Sequence, residues 1–177
     1  IEDKFNNLEK INILFLSNMF PQKGYLNLLK SYKLLKHKFK DRLLLNFAGK
    51  FYDNKLELEF VKRIKKEKNI NYFGLVNEST KIKLFNNAHI FCLPTDFLEG
   101  QPIAIIEAYA SGCCILTTNK PGINDIFTDK VNGFLIKNNS PDLIASTLEK
   151  MLNNLNNCKL IALNNRDLAE SNFKKST

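Results

Sequence analysis

Two carboxylates eight positions apart, Glu99 and Glu107, stand in the segment 94–112, PTDFLEGQPIAIIEAYASG. Asp96, Glu99 and Gly100 fall in a loop that ends near Pro102, where a proline opens a helix at no cost because its missing N–H would be unpaired there anyway. From Gln101 to Gly112 that helix is apolar nearly all round, which predicts burial, and Glu107 is its only charge. A lone carboxylate in such a helix costs free energy unless something partners it. Glu107 lies roughly 7 Å from the helix start, from a rise of 1.5 Å per residue. It is therefore placed either to meet a ligand that reaches the helix N-terminus or to pair with a lysine of a neighbouring element.

The glycines point to the same edge. Gly49 and Gly74 end strands, and Gly24, Gly100 and Gly122 lie in loops that leave strands; Gly112 closes a helix and Gly133 sits in a turn. Bare backbone at the strands' carboxyl ends, with helix N-termini converging there, suits an anionic small molecule, most naturally a nucleotide or phosphate.

These groups need a scaffold, and the apolar pattern supplies one. Strand-like runs at 11–17, 43–49, 70–74, 89–94, 113–118 and 133–136 alternate with helical segments at 25–37, 55–68, 79–87, 102–111, 123–127, 141–153 and 158–171. The strands are apolar throughout rather than alternating, as in a parallel sheet covered on both faces. The predicted fold class is α/β: an open, doubly wound, mostly parallel sheet of about six strands with helices on both faces.

The chain has 177 residues, enough for one domain with a sizeable core. Hydrophobic residues make up 44% and charged residues 25%, which excludes wholesale disorder. No apolar run reaches the ~18 residues that span a bilayer. The first residue is Ile1, no secretory leader follows, and the end at 173–177 is basic and polar, so the sequence reads as a piece of a longer polypeptide. The net charge is +8, mostly lysine, clustered at 30–40 and 62–68. The pattern reads there as solvated helix faces in preference to a nucleic-acid or anionic-membrane patch, with Leu28, Leu29, Tyr32, Leu35 and Phe39 turned inward in the first and Leu58, Val61 and Ile64 in the second. Nucleic acid is disfavoured as a partner, because Arg forks and stacked aromatics do not accompany the lysines.

Cys92, Cys113, Cys114 and Cys158 form no CxxC pair and make no ligand spacing with His37 or His89, so buried thiols in a reducing cytosol are expected rather than zinc or disulfides. His89, in a strand, is expected to be a packed core histidine. The D-x-D, G-x-G-x-x-G, P-loop and G-x-S-x-G patterns are all missing.

Glu99 and Glu107 resemble the E-x7-E motif of the group 1 (family 4) retaining glycosyltransferases, enzymes of the two-domain GT-B fold. The resemblance extends along the chain in order. FLSNMFPQKG at 15–24 resembles the family's first strand and phosphate loop, and 45–50 its second strand and glycine turn. YFGLV at 72–76 resembles FxGxV, and FNNAHIFCLP at 85–94 resembles YxxADxxxxPS. AYASGCCILTT at 108–118 is similar to AMAxGxPVxAT, and 122–127 with 132–135 to the GGxPEI…NGxL run.

The resemblance covers only the donor-binding, carboxy-terminal half of such an enzyme. It implies that 1–177 is a nucleotide-sugar binding domain and that an amino-terminal acceptor domain lies outside this chain. Glu99 would contact hydroxyls of the transferred sugar, and Lys23 would neutralise the diphosphate leaving group. Gly100, Gln101, Pro102 and Ile103 would form the loop and first turn beside sugar and diphosphate, together with Asn18, Gly24 and Gly49. Glu107 would accept both ribose hydroxyls, and main-chain groups at Gly74, Leu75 and Val76 would read the base. The implied activity is retaining, metal-independent transfer of a hexosyl group from a nucleotide-diphosphate sugar, with no cofactor. The acceptor would be a glycan or a lipid-linked glycan of the kind bacteria assemble into capsule and O-antigen. The implied location is cytoplasmic, with peripheral attachment to the membrane's inner face as a further expectation. The isolated chain should bind nucleotide without transferring sugar.

Three departures bear on detail. Asn18 stands where the family usually has Arg, Gly100–Gln101–Pro102 replaces Gly-Phe-Gly, and Asn124–Asp125 replaces Pro-Glu. The alternatives are a nucleotide-sugar epimerase half, for which no acid–base set is found, and a non-catalytic nucleotide-binding or scaffold module.

Overall fold

The structure, a computed structural model, describes residues 2–6, 8–98 and 100–172. Six strands are formed: β1 (Ile11–Leu16), β2 (Leu43–Ala48), β3 (Ile70–Tyr72), β4 (Ile90–Leu93), β5 (Cys114–Thr118) and β6 (Gly133–Ile136). The helices are α1 (Glu2–Asn6), α2 (Tyr25–Leu34), α3 (His37–Lys40), α4 (Asn54–Ile64), α5 (Glu78–Asn87), α6 (Ile103–Ala110), α7 (Pro121–Asn124), α8 (Pro141–Asn153) and α9 (Leu155–Asn172). A 3-10 turn, Pro21–Lys23, joins β1 to α2.

The sheet is parallel throughout, in the order β3-β2-β1-β4-β5-β6. The doubly wound α/β expectation holds. The chain walks outward from β1 to β3, returns through α5, and lays β4 beside β1. Strand order reverses at that pair, and in open α/β sheets the crevice beyond the carboxyl ends of the strands at such a point is where ligands bind. Right-handed crossovers put helices on both faces. The ring centres of Tyr25 on α2 and Phe60 on α4 lie 5.4 Å apart, edge to face, so these two helices share one face. On the other face α6 packs on α9.

The strands are buried almost end to end: β4 and β5 are wholly buried, and Leu14, Phe15, Phe47, Ile90 and Phe91 have no exposed surface. Phe60 also meets Phe47 at 5.1 Å and Tyr72 at 5.6 Å, which pins α4 to β2 and β3. Asn165, buried on α9, gives its amide to the carbonyls of Cys113 and Asn132, both at 2.8 Å, and accepts the Asn132 amide at 2.9 Å. Its hydrogen-bonding groups are thereby satisfied, which is the condition for keeping an amide in a core.

Local readings needed correction in four places. The helix expected over 25–37 breaks at extended Leu35 and Lys36, and the Lys36 N–H that the break frees donates to Glu149 of α8 at 3.1 Å. The helix expected to run to 68 stops at Ile64, and its inward residues are Phe60 and Ile64, whereas Leu58 and Val61 are exposed. The short helix expected at 123–127 is Pro121–Asn124 instead. The first helix, α1, carries no sequence signal strong enough to anticipate it.

All four cysteines are buried free thiols. His89 is buried just before β4: its Nδ1 accepts the Asn12 N–H at 2.9 Å, which leaves Nε2–H to donate to the Lys4 carbonyl at 2.7 Å. Burial, and secondarily the Lys4 ammonium, push this imidazole below its ordinary 6.5. A base held neutral in the fold but free to protonate when unfolded makes stability fall as pH drops below that value. The urea midpoint is expected to decrease from about pH 7 to about pH 5 in the wild type. In His89→Gln that dependence should shrink; an unchanged slope would remove His89 as its source.

Candidate functional site

The site is built at the carboxyl ends of β1 to β4. The loop leaving β1 is tied to its neighbours by main-chain bonds: Ser17 N–H to Ala48 O at 3.1 Å, and Met19 N–H to Lys50 O at 2.9 Å. Gly49 N–H donates to Gly74 O at 2.8 Å, so the turns after β2 and β3 lie side by side. Gly49 has φ +144°, and a Cβ there would sit 1.8 Å from Ser17 O, so only glycine lets these two backbones approach.

The same loop meets the one leaving β4. Asp96 N–H donates to Gln22 O at 2.7 Å, and buried Thr95 gives its hydroxyl to the same carbonyl at 3.4 Å. Lys23, in the 3-10 turn, holds its ammonium 4.4 Å from the centre of the Phe97 ring. Gly24 adopts φ +86° against the Pro94 carbonyl. From the other side, β5 latches the loop: Thr117 donates to Leu93 O at 2.8 Å, and Thr118 donates to Thr95 O. Lys120, just beyond β5, pairs with Asp96 at 3.2 Å.

The structure thus brings Lys23 and Gly24 against the loop leaving β4, at Phe97 and Pro94; Gly100 and Gln101 follow in that same loop. Glu99 lies outside the described residues. Asn18 is exposed and its carbonyl accepts the Phe20 N–H at 2.8 Å. Pro102 is buried and forms the N-cap of α6 rather than its first turn. Burial of α6 all round is not what the structure shows: Ile103 is 63% exposed, while Ile105, Ala108 and Tyr109 are buried. A helix whose N-terminus lines an open edge cannot bury its first turn on both sides.

Glu107 lies in the second turn of α6, and a lysine does reach it. Lys81 of α5 contacts Oε1 of Glu107 at 2.6 Å and Glu78 at 3.0 Å. The pair is not sealed in the core, since the Glu107 side chain retains 30% exposure. The hydrogen bond from Glu107, then that from Glu78, raises the Lys81 ammonium pKa. Because α5 starts directly after Gly74, Leu75 and Val76, this bridge ties the β3 turn to Glu107. Leu75 itself is 76% exposed.

Sequence reading missed Lys81, Lys120 and the Thr95–Thr118 latch. Lys120 was detectable, since it stands at a strand's carboxyl end beside Pro121 and Gly122. Lys81 was not, because nothing local relates position 81 to 107. Among the described residues, three or more His, Cys, Asp or Glu side chains do not gather anywhere as metal ligands would.

The sequence model of the family described as Glycosyl transferases group 1 matches residues 1–167. This chain belongs to that family. Its similarity to an uncharacterized glycosyltransferase of Haemophilus influenzae is 30% identity over 155 residues, 86% of this chain and 42% of the relative. The capsular polysaccharide biosynthesis glycosyltransferase CapM of Staphylococcus aureus is 26% identical over 98% of this chain and 45% of its own length. The group 1 glycosyltransferase chain therefore spans less than half the length of these relatives. Among solved structures, Anabaena HepE in complex with UDP and glucose superposes with a TM-score of 0.82 at 16% identity, over 94% of this chain and 45% of HepE. The carboxy-terminal domain of LpcC from Francisella tularensis, also a group 1 protein, superposes with a TM-score of 0.79 at 25% identity, covering 99% of this chain and 91% of that domain. The fold is thus the Rossmann-like unit found in GT-B glycosyltransferases.

Proposed function

We propose that this chain is the donor-binding part of a two-domain enzyme that transfers a sugar from a nucleoside diphosphate, with retention and without a metal ion. The observation that carries the reading is the hydrogen-bonded junction of the β1 and β4 loops, with Lys23 beside Phe97 in the loop that leads into α6. A lysine ammonium and a helix N-terminus are the charges a diphosphate needs as it leaves. Glu99 contacts the sugar. Gly74, Leu75 and Val76 meet the base with their main chain, and Glu107 receives the ribose hydroxyls, its carboxylate held in place by Lys81.

In the reaction the acceptor oxygen bonds to the anomeric carbon from the face the diphosphate leaves. The anomeric C–O bond breaks, the diphosphate takes the electron pair, and its oxygen receives the acceptor's proton. The acceptor, a glycan or lipid-linked glycan, is held by an amino-terminal domain. HepE is solved with UDP and with UDP-glucose, which supports a nucleotide-sugar donor, and CapM's part in capsular polysaccharide biosynthesis supports a glycan acceptor. Exposed Phe20, Tyr52, Leu75, Phe97, Leu98 and Ile103 around the same edge are what a covering domain would bury.

The test is calorimetric titration with UDP, GDP, ADP and their sugars. One nucleotide series should bind, and Glu107→Ala should weaken it by about tenfold, the cost of one charge-assisted hydrogen bond. Failure of every nucleotide to bind would remove the donor reading. Unchanged affinity in Glu107→Ala would remove the ribose assignment alone.

A further inference from the structure

The net charge is not spread over the molecule. Residues 30–68 contain 13 of the 26 basic residues and 5 of the 18 acidic ones, a net +8 equal to that of the whole chain. The other residues balance. This stretch forms the end of α2, then α3, β2 and α4; α2 and α4 touch through the Tyr25 and Phe60 rings, and α2 packs along α8. Apart from Lys50 and Lys55, these cations lie at the ends of α2 and α4, in α3 and in the turns that lead into β2 and β3, so the charge gathers toward the amino edge of the sheet, away from the carboxyl edge that holds the candidate site.

Two of the five acidic residues are occupied within the fold: Asp53 caps α4 by accepting the N–H groups of Lys55 and Leu56, and Glu57 accepts the Tyr72 hydroxyl at 3.0 Å. The lysines, by contrast, point outward. Lys55, Lys62 and Lys65 recur on α4 and its C-cap at helical spacing and are exposed. Between them stand Leu58, 61% exposed, and Val61, 40% exposed; on α2, Leu34 is 53% exposed beside Lys30 and Lys33.

Aliphatic side chains set among lysines on an exposed helix are the pattern of an interfacial helix: the aliphatics enter the acyl boundary, and the ammonium groups meet lipid phosphates. Nucleic acid would call for guanidinium forks and stacking faces. This stretch has only Arg42 and Arg63 as arginines; Tyr32, Phe39 and Phe60 are buried, and exposed Tyr52 already stacks on Phe20 at the carboxyl edge. We infer that the α2–α4 face docks on an anionic lipid surface and leaves the donor crevice free to open into the water above it. The inference does not depend on the donor reading.

The test is co-sedimentation of the chain with vesicles of phosphatidylcholine alone or with about one third phosphatidylglycerol. Binding should be at least about tenfold tighter to the anionic vesicles and should disappear at about 0.5 M salt, where the Debye length is only a few ångströms. Lys62→Glu/Lys65→Glu/Lys66→Glu should weaken it at least about twentyfold, since each juxtamembrane lysine contributes roughly fivefold. The same charge change elsewhere, Lys83→Glu/Lys130→Glu/Lys137→Glu, should leave most of the binding. Leu58→Ser/Val61→Ser should weaken it at constant charge. Nucleotide binding should be the same in all three variants, showing that they are folded. Equal binding to both vesicle types, equal loss in the two charge-reversed variants, or binding to a single-stranded oligonucleotide without binding to vesicles would overturn the inference.

Discussion

Lys23→Ala is expected to weaken nucleoside diphosphate binding by about a hundredfold, roughly 3 kcal/mol, while nucleoside affinity changes by less than about twofold. Lys23 belongs to a 3-10 turn that begins at Pro21 and ends at Gly24, and its ammonium is held against the Phe97 ring. That contact fixes the charge over the β4 loop without burying it, so an incoming diphosphate meets a positioned cation. On the proposed donor reading, with Asn18 in place of the arginine of the motif it resembles, Lys23 would bear a larger share of the phosphate interaction than a lysine beside a second cation. Calorimetry with nucleoside and nucleoside diphosphate in parallel separates the two terms. Lys23→Arg should recover part of the loss. Equal affinity of wild type and Lys23→Ala for the diphosphate would displace the phosphate from this crevice.

Gly24→Ala is expected to lower stability by about 3 kcal/mol or more and the thermal midpoint by roughly 10 °C. At φ +86° an L-residue is strained, and its Cβ would lie 2.1 Å from the Pro94 carbonyl oxygen and 3.0 Å from the Pro94 ring. The obstacle is backbone at the end of a buried strand, so the loops of β1 and β4 must separate. Since those loops form the crevice, nucleotide binding should fall with stability. Gly100→Ala provides the control in the same loop system: a Cβ there meets nothing within 4 Å, and its stability should stay within about 0.5 kcal/mol of wild type. Thermal melts followed by circular dichroism test both. A Gly24→Ala protein as stable as Gly100→Ala would show that β1 and β4 do not converge at Pro94.

The two expectations have different legibility. The glycine at position 24 could be read as a strand-exit glycine from its place after an apolar run, and so could Gly49 and Gly74. What each one abuts could not. The same holds for charge: Glu107 announced itself as an isolated carboxylate in an apolar segment, but both a ligand and a lysine were open as its partner. The structure supplies Lys81, 26 positions away on a helix that crosses from the far edge of the sheet.

Similarly, α4 shows helical spacing of apolar residues in two overlapping registers. Leu58, Val61 and Ile64 form one, and Phe60 and Ile64 the other. Only the aromatic cluster of Tyr25, Phe47 and Tyr72 decides for Phe60, by offering ring edges that an aromatic can fill and a leucine cannot. That decision is what turns Leu58 and Val61 outward among the lysines.

By itself, then, the amino-acid order determined the alternation of buried strands and helices, the parallel doubly wound class, the strand ends at which a ligand would gather and the family to which the motifs point. These are local properties, set by periodicity and turn chemistry within a few residues. Tertiary structure alone decided the strand order, the lysine that holds Glu107, the Thr118 latch under the β4 loop, which face of α4 is buried and where the +8 charge collects. Those depend on contacts between residues tens of positions apart, whose free energy appears only when the sheet brings them together.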